Sequence, residues 1–138
     1  RIKGRYTVTS NDVVQGVRHE DAVCRVHFGI DVHSTNPKNN KGIHVHGLKA
    51  QPYDIPLRAL IAQDVDNLFM AGRCISGDFM AHSSYRVTGN AVALGQAAGT
   101  AAAIAGRKGV SASQVSYASV KTLMDDKMNA NGPEPSPS

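Results

Sequence analysis

Aromatic residues and cysteines are scarce in this chain. It contains no tryptophan, and aromatic side chains make up 5% of its 138 residues. Surfaces that stack nucleic-acid bases are built from aromatic rings, so this scarcity disfavours such a surface. The two cysteines, Cys24 and Cys74, are too few for a disulfide framework. We interpret both as free thiols, and we expect Cys74 to be buried.

Positively charged residues outnumber negatively charged ones only slightly. The net charge is +4 and the pI is about 9.3, which is too weak a basic character to indicate a nucleic-acid partner. The chain opens at Arg1 without a methionine or an apolar signal segment, so we interpret it as a cut or processed piece. A hydrophobic fraction of 41% argues against disorder over most of the length.

Local signals in the first half predict mainly strands. Ser10 is suited to cap a short helical turn that Gly16 ends, because serine accepts backbone N–H bonds and glycine adopts the left-handed conformation. Strands are predicted at residues 5–9, 22–33 and 43–46, where β-forming residues alternate or cluster.

Helices dominate the prediction for the second half. Residues 67–72 form a short apolar run ending in glycine, which is typical of a strand covered on both faces. A polar, histidine-bearing loop is predicted over residues 73–88, followed by a helix over residues 89–106 that Gly106 ends. A final helix is predicted at about residues 113–128.

Residues 87–106 carry no charged side chain. One interpretation is a membrane span, but the stretch is mainly alanine and glycine with polar interruptions, so we predict no span. We expect instead a soluble helix buried on nearly all sides. Gly95 and Gly99 lie one turn apart and each costs about 1 kcal/mol relative to alanine, so they need a packing reason. So short a chain would struggle to surround this helix, and we expect further protein to pack against it.

Histidines offer one candidate metal site. His44 and His46 fall on the same side of a predicted strand, but two ligands are too few for a structural zinc site. His27 or His33 would have to converge on them in space. We therefore predict no metal site.

The start of the long helix is the candidate binding corner. A buried strand, a glycine, a polar loop and a helix beginning at Gly89 and Asn90 place unpaired backbone N–H groups at one point. The helix dipole adds roughly half a positive charge there. Such a corner stabilises negative charge on a phosphate, a carboxylate or the edge of an anionic ring.

Four segments of the chain resemble the C-terminal part of the FAD-dependent oxidoreductase family: residues 53–60, 66–76, 86–89 and 93–102. Within the glutathione-reductase-like flavoproteins, they look related to the fumarate reductase and succinate dehydrogenase flavoprotein group. The strong resemblance covers about residues 53–105, and a weaker one extends back to about Tyr6.

One motif carries much of this resemblance. The group has a His-Gly-x-x-Arg-x-Gly-Gly-Asn stretch before the corresponding helix. This chain matches it at His82, Arg86, Gly89 and Asn90 and departs from it at Ser83 and Thr88, as residues 82–90 show. The departures indicate that the substrate geometry differs.

The resemblance implies two FAD-contacting segments. Their residues are Ala71, Gly72 and Arg73, and Thr88, Gly89 and Asn90. The first segment would approach the ribityl and phosphate portion of FAD, and the second the N1–C2 carbonyl edge of the flavin. Asn90 as a simple helix cap is compatible with that contact.

His82 and Arg86 are the implied catalytic residues. His82 would orient substrate or move a proton, because histidine titrates near neutral pH. Arg86 would hold an anionic substrate group or the flavin edge. The structural alternatives are a loop histidine bonded to backbone and an arginine in a salt bridge.

The fold that the resemblance implies is α/β. The chain would be the C-terminal fragment of a two-domain, Rossmann-like FAD-binding flavoprotein, with a buried Ala/Gly-rich helix after a short strand. Residues 1–52 would be a strand-rich part of the substrate or cap region, residues 53–128 the C-terminal segment of the FAD-binding domain, and residues 129–138 a disordered tail.

The implied function is FAD-linked hydride or electron transfer with a small-molecule substrate. Such enzymes bind the ADP half of FAD through Gly-x-Gly-x-x-Gly, and this chain has no such motif. The expected partner is therefore an N-terminal dinucleotide-binding part, without which FAD should bind weakly; a homo-oligomer is left open. The alternative is a non-catalytic interaction module derived from such a fold.

Overall fold

Helices and short strands are both present in the computed structural model, which describes residues 2–30 and 50–130. The mixed α/β character that the sequence predicts is confirmed. In chain order the elements are α1 (Ser10–Gln15), β1 (Ala22–Val26), β2 (Tyr53–Pro56), α2 (Phe79–Tyr85), α3 (Thr88–Lys108) and α4 (Tyr117–Ala130). Short 3₁₀ helices occupy Leu57–Leu60, Gly72–Cys74 and Ala112–Gln114.

The sheet formed by the described residues has two antiparallel strands. Val26 pairs with Tyr53 and Arg25 with Asp54, and the register shifts between Ala22 and Cys24. β1 packs on α3 and β2 on α1. All four residues of β2 are buried as a result.

Two predicted strands are not formed as such. Around residues 5–9 there are isolated bridges, at Gly4 and at Val8. The strand predicted over residues 67–72 is wrong: it has a single bridge, between Phe69 and Ile61. The segment does not form a longer strand pair. The Met70 N–H donates to the carbonyl of Leu60, and the chain then turns into the 3₁₀ helix Gly72–Cys74.

The core consists of two clusters of buried side chains. The larger one joins the sheet to the helices through Tyr53, Ile55, Tyr85 and Leu94, all fully buried. The smaller one lies between α3 and α4 and includes Ile104 and Val120. Burial of these side chains fixes α3 on one side only.

The predicted helical turn at Ser10 is confirmed, with its cap one residue earlier. Thr9 accepts from the backbone N–H of Asp12, and the Asp12 side chain bonds back to the Thr9 backbone. Gly16 ends α1 with φ +62°, as predicted. The reciprocal bonds explain why Thr9 takes the cap position.

α3 departs from the prediction in three ways. It is not buried on nearly all sides: Leu94, Ala97 and Ala101 are buried, whereas Gly95 and Gly99 are exposed. β1, the Gly72–Cys74 helix and α4 cover one side of it within the described residues. It follows α2 and a single turn, not a strand. Finally, it continues to Lys108 and ends at Gly109, with φ +63°, not at Gly106.

None of the helices in the described part of the chain combines the length and apolar character needed to cross a bilayer. Residues 31–33, the strand predicted at 43–46 and residues 131–138 of the predicted tail lie outside the described residues. α4 begins at Tyr117, a few residues later than predicted, because a separate 3₁₀ turn occupies Ala112–Gln114.

Candidate functional site

The N-terminus of α3 lacks a side-chain cap. Its N-cap residue is Val87, which makes no side-chain hydrogen bond to the helix. α1 and α2 differ, because Thr9 and Asp78 accept bonds from their first-turn N–H groups. Thr88 and Gly89 are exposed. The first N–H groups of α3 and the positive end of its dipole are therefore available to an anionic or electron-rich ligand.

Gly72 lies against this first turn. A Cβ atom at Gly72 would be 3.4 Å from the Cβ of Ala91, and Gly72 has φ +60°. Glycine tolerates this left-handed backbone, and an added Cβ would touch Ala91 at ordinary van der Waals distance. The Arg73 Nε also donates to the carbonyl oxygen of Arg86, at 3.3 Å. The two segments predicted to bind the cofactor are thus brought together.

The Asn90 side chain points into the protein. Its Nδ2 donates to the carbonyl oxygen of Tyr85 at 3.4 Å, and its Oδ1 accepts from the Cys24 thiol at 3.9 Å. Since Val87 is the N-cap, Asn90 occupies the third helical position and the capping interpretation is wrong. No sequence pattern links residues 24 and 90, so the sequence does not reveal Cys24 as a partner.

His82 and Arg86 lie on and just after α2, where the sequence predicted a loop. The loop prediction failed because Asp78 caps a helix there by accepting from the N–H of Ala81 at 2.8 Å. The His82 ring meets the Tyr85 ring edge-on, with centroids 5.4 Å apart. Arg86 is the C-cap of α2, and its N–H donates to the carbonyl of His82. Both residues are half-buried beside the turn that leads into α3.

The two thiols have different surroundings. Cys24 is buried, and burial, with the Asp54 charge second, raises the pKa of its thiol to about 11. Cys74 is exposed, so the expectation of a buried thiol is wrong. It is the last residue of the 3₁₀ helix Gly72–Cys74, a single turn in which only Gly72 is buried.

No group of three potential metal ligands occurs among residues 2–30 and 50–130. His44 and His46, which the metal alternative requires, lie outside the described residues, as does His33. His27, the other histidine that could converge on them, is described and exposed. The described carboxylates that form ion pairs are bound to arginine side chains of the chain itself. Asp54, for example, accepts from Arg25 at 3.0 Å and from Arg18 at 3.3 Å, and so joins the two strands.

The residues present fit one end of FAD. Uncapped N–H groups and a glycine held against the same helical turn suit the electron-rich edge of a flavin. Nothing in the 138-residue sequence provides Gly-x-Gly-x-x-Gly for the ADP half.

Comparison with known families identifies the family of the chain. A family model described as FAD dependent oxidoreductase matches residues 1–124. The chain belongs to the FAD-dependent oxidoreductase family. FAD is the cofactor of this family, and an oxidoreductase lineage follows for the chain. No curated protein and no solved structure matches it significantly.

Proposed function

We propose that this chain supplies the flavin-facing part of an oxidoreductase that moves hydride or electrons between a small molecule and FAD. The observation that carries the proposal is the uncapped, exposed start of α3 with Gly72 packed beside it. FAD, when bound, supplies the electron-transfer chemistry itself. The chain contributes position and electrostatics.

Each implied cofactor residue has a defined part. The backbone N–H groups of Thr88, Gly89 and Asn90 face the electron-rich edge of the flavin and stabilise negative charge there. The turn from Ala71 to Arg73 runs beside them, with Arg73 tied to the carbonyl of Arg86. Because a helix N-terminus favours the more negative state of a neighbouring group, it raises the reduction potential.

His82 and Arg86 are proposed to handle the substrate. Arg86 holds an anionic group of the substrate, and His82 orients the substrate or moves a proton. The positions of the two residues support these roles, because both lie at the corner between α2 and α3, next to the proposed flavin edge. The narrower relation to the glutathione-reductase-like and fumarate reductase flavoproteins is proposed from the match at residues 82–90.

The ADP half of FAD requires a second protein part. We infer a Rossmann-like dinucleotide-binding part, which packs on the exposed side of α3. That side, called the outer face of α3 below, consists of Thr88, Val92, Gly95, Gln96, Gly99, Ala102, Ala103 and Gly106. It carries no charge, and Val92 is 67% exposed. An uncharged face of this length supports coverage by protein more than contact with solvent.

The decisive experiment is spectroscopy on the complete flavoprotein that contains this chain. We expect the two visible flavin bands and their bleaching when a reductant or substrate is added. A colourless complete protein would instead favour the second candidate function, an interaction module that uses the outer face of α3 for docking alone.

Substitution at Gly89 tests the role of the helix start. Gly89→Asp places a carboxylate among the N–H groups and is expected to weaken FAD binding at least tenfold, whereas Gly89→Asn, of the same size and neutral, should weaken it less. Asp in the first turn stabilises a helix by about 0.3–1 kcal/mol, so weaker FAD binding by that variant would not reflect unfolding. Equal FAD affinity in the two variants would contradict the electrostatic role.

A further inference from the structure

We propose that Asn90 is a positioning residue: its side chain is held inside the protein by Cys24 and Tyr85, so that it leaves the backbone N–H groups at the start of α3 open to a ligand. The two hydrogen bonds join residues of this chain alone, and their consequence for FAD binding rests on the proposed function.

The two hydrogen bonds define the orientation of the amide. The carbonyl of Tyr85 is an acceptor and therefore takes the Nδ2 group, at 3.4 Å. The Cys24 thiol then faces Oδ1, at 3.9 Å. A flipped amide would set two acceptors against each other at Tyr85. Asn90 is the residue type whose side chain satisfies both neighbours, whereas aspartate could not donate to Tyr85.

Cys24 is suited to act as the donor. It lies on β1, which packs on α3, and it is buried. Burial raises the pKa of the thiol to about 11, so the group keeps its proton at neutral pH. A thiolate at this position would accept hydrogen bonds and would repel Oδ1.

The amide joins three elements at the candidate site. Cys24 belongs to β1, Tyr85 is the last residue of α2, and Asn90 is in the first turn of α3. Arg86 directly follows Tyr85, so the same amide also holds the corner that carries the proposed substrate arginine. Loss of the amide contacts should let the start of α3 move relative to α2.

The test compares Cys24→Ser, which keeps a donor, with Cys24→Ala, which removes it, in the full chain. The readout is hydrogen exchange of the Asn90 side-chain amide by NMR, without FAD. We expect exchange about threefold faster in Cys24→Ala, since a thiol is a weak donor, and a return toward the wild-type rate in Cys24→Ser. Cys74→Ala, which removes the exposed thiol, should leave the rate unchanged.

Equal Asn90 exchange in wild type, Cys24→Ala and Cys24→Ser would overturn the inference. A second arm adds FAD to the complete flavoprotein, where Cys24→Ala should weaken FAD binding a few-fold and Cys24→Ser should restore it. If wild type itself binds no FAD, the proposed function fails, while the exchange rates still decide whether Cys24 holds Asn90. If the Cys24 substitutions change the exchange rates of Asn90 but not the affinity for FAD, the positioning role is overturned.

Discussion

Among the residues of the candidate site, Gly72 is the one at which an added methyl group should lower the stability of the chain most. It has φ +60° and lies 3.4 Å, measured from an added Cβ, from the Cβ of Ala91. A left-handed backbone costs a residue with a side chain about 1–2 kcal/mol. Gly72→Ala should therefore lower the free energy of unfolding by that amount, measured by urea denaturation, and should weaken FAD binding in the complete protein.

Gly95→Ala is the matched control, because Gly95 is an exposed helical glycine. A Cβ there meets no atom within 4 Å. Alanine is favoured over glycine inside a helix by about 1 kcal/mol. The control should raise the free energy of unfolding of the isolated chain. A loss of stability in both variants would show that α3 is packed on its outer face within this chain.

Asp54 should make the stability of the chain depend on acid pH. Burial alone would raise the pKa of its carboxyl group, but hydrogen bonds from Arg25, the backbone of His19 and Arg18 outweigh burial and lower the pKa below its ordinary 3.8. Above the unfolded value of about 3.8 the stabilisation is complete, and it is lost as the pH falls through the lower folded pKa.

Asp54→Asn isolates this contribution. At neutral pH it should cost about 1–2 kcal/mol, a modest value because both arginine partners are half exposed. Urea unfolding between about pH 3 and pH 6 should show the wild-type advantage shrinking at the acid end. Asp64→Asn, at an exposed position, should change stability by less than about 0.5 kcal/mol at every pH. An advantage that grows on acidification would refute the assignment.

At the scale of elements, one carboxylate serves the starts of two helices. Asp78 Oδ1 accepts from the N–H of Ala81 in α2, and Oδ2 accepts from the N–H of Ser10 in α1. Asp78→Ala removes both acceptors and should lower the unfolding free energy by about 2 kcal/mol. Ser111→Ala, just before the short 3₁₀ turn Ala112–Gln114, should cost less than half as much in the same urea titration. Equal losses would mean that the shared cap is unimportant.

Elements with local signals were predictable from the sequence. α1 begins and ends near Thr9 and Gly16, and α3 follows the uncharged run to within two residues at each end. Residues 67–72 misled because apolar continuity reports burial and not a partner strand. α2 was missed because its cap, Asp78, precedes a segment whose polar residues are typical of a loop.

The candidate site was predictable only in part, for a similar reason. The motif residues His82, Arg86 and Gly89 are neighbours in sequence, and a pattern of neighbours is visible in one chain. Cys24 reaches Asn90 across 66 positions, a contact that depends on how β1 packs against α3. Such long-range contacts follow from tertiary packing, for which a single sequence carries no local signal.

At the scale of the whole molecule, α3 divides into a covered side and an open one. Its buried side contacts β1, the Gly72–Cys74 helix and α4, while the outer face of α3 is uncharged and exposed. Because α3 is covered on one side only within the described residues, its long uncharged run is half exposed. The expectation of further protein on that helix is still a prediction, and it has a direct test.

Gly99→Lys provides that test. The substitution replaces glycine with a better helix former at an exposed position, so the chain itself should gain about 0.7 kcal/mol in stability. Burying its charge at an interface is costly, and association with the inferred dinucleotide-binding part should weaken at least tenfold. Binding is measured by titrating the two parts, with flavin fluorescence as the signal.

The control for Gly99→Lys is Asn129→Lys, which adds the same charge at an exposed residue of α4 that does not belong to the outer face of α3. It should leave association unchanged, while Gly99→Ala should reduce it only slightly, because a methyl group adds volume without charge. Undiminished association of Gly99→Lys would place the second part elsewhere. The outer face of α3 would then be an uncharged surface in contact with water, and the proposed role of α3 would rest on its N-terminus alone.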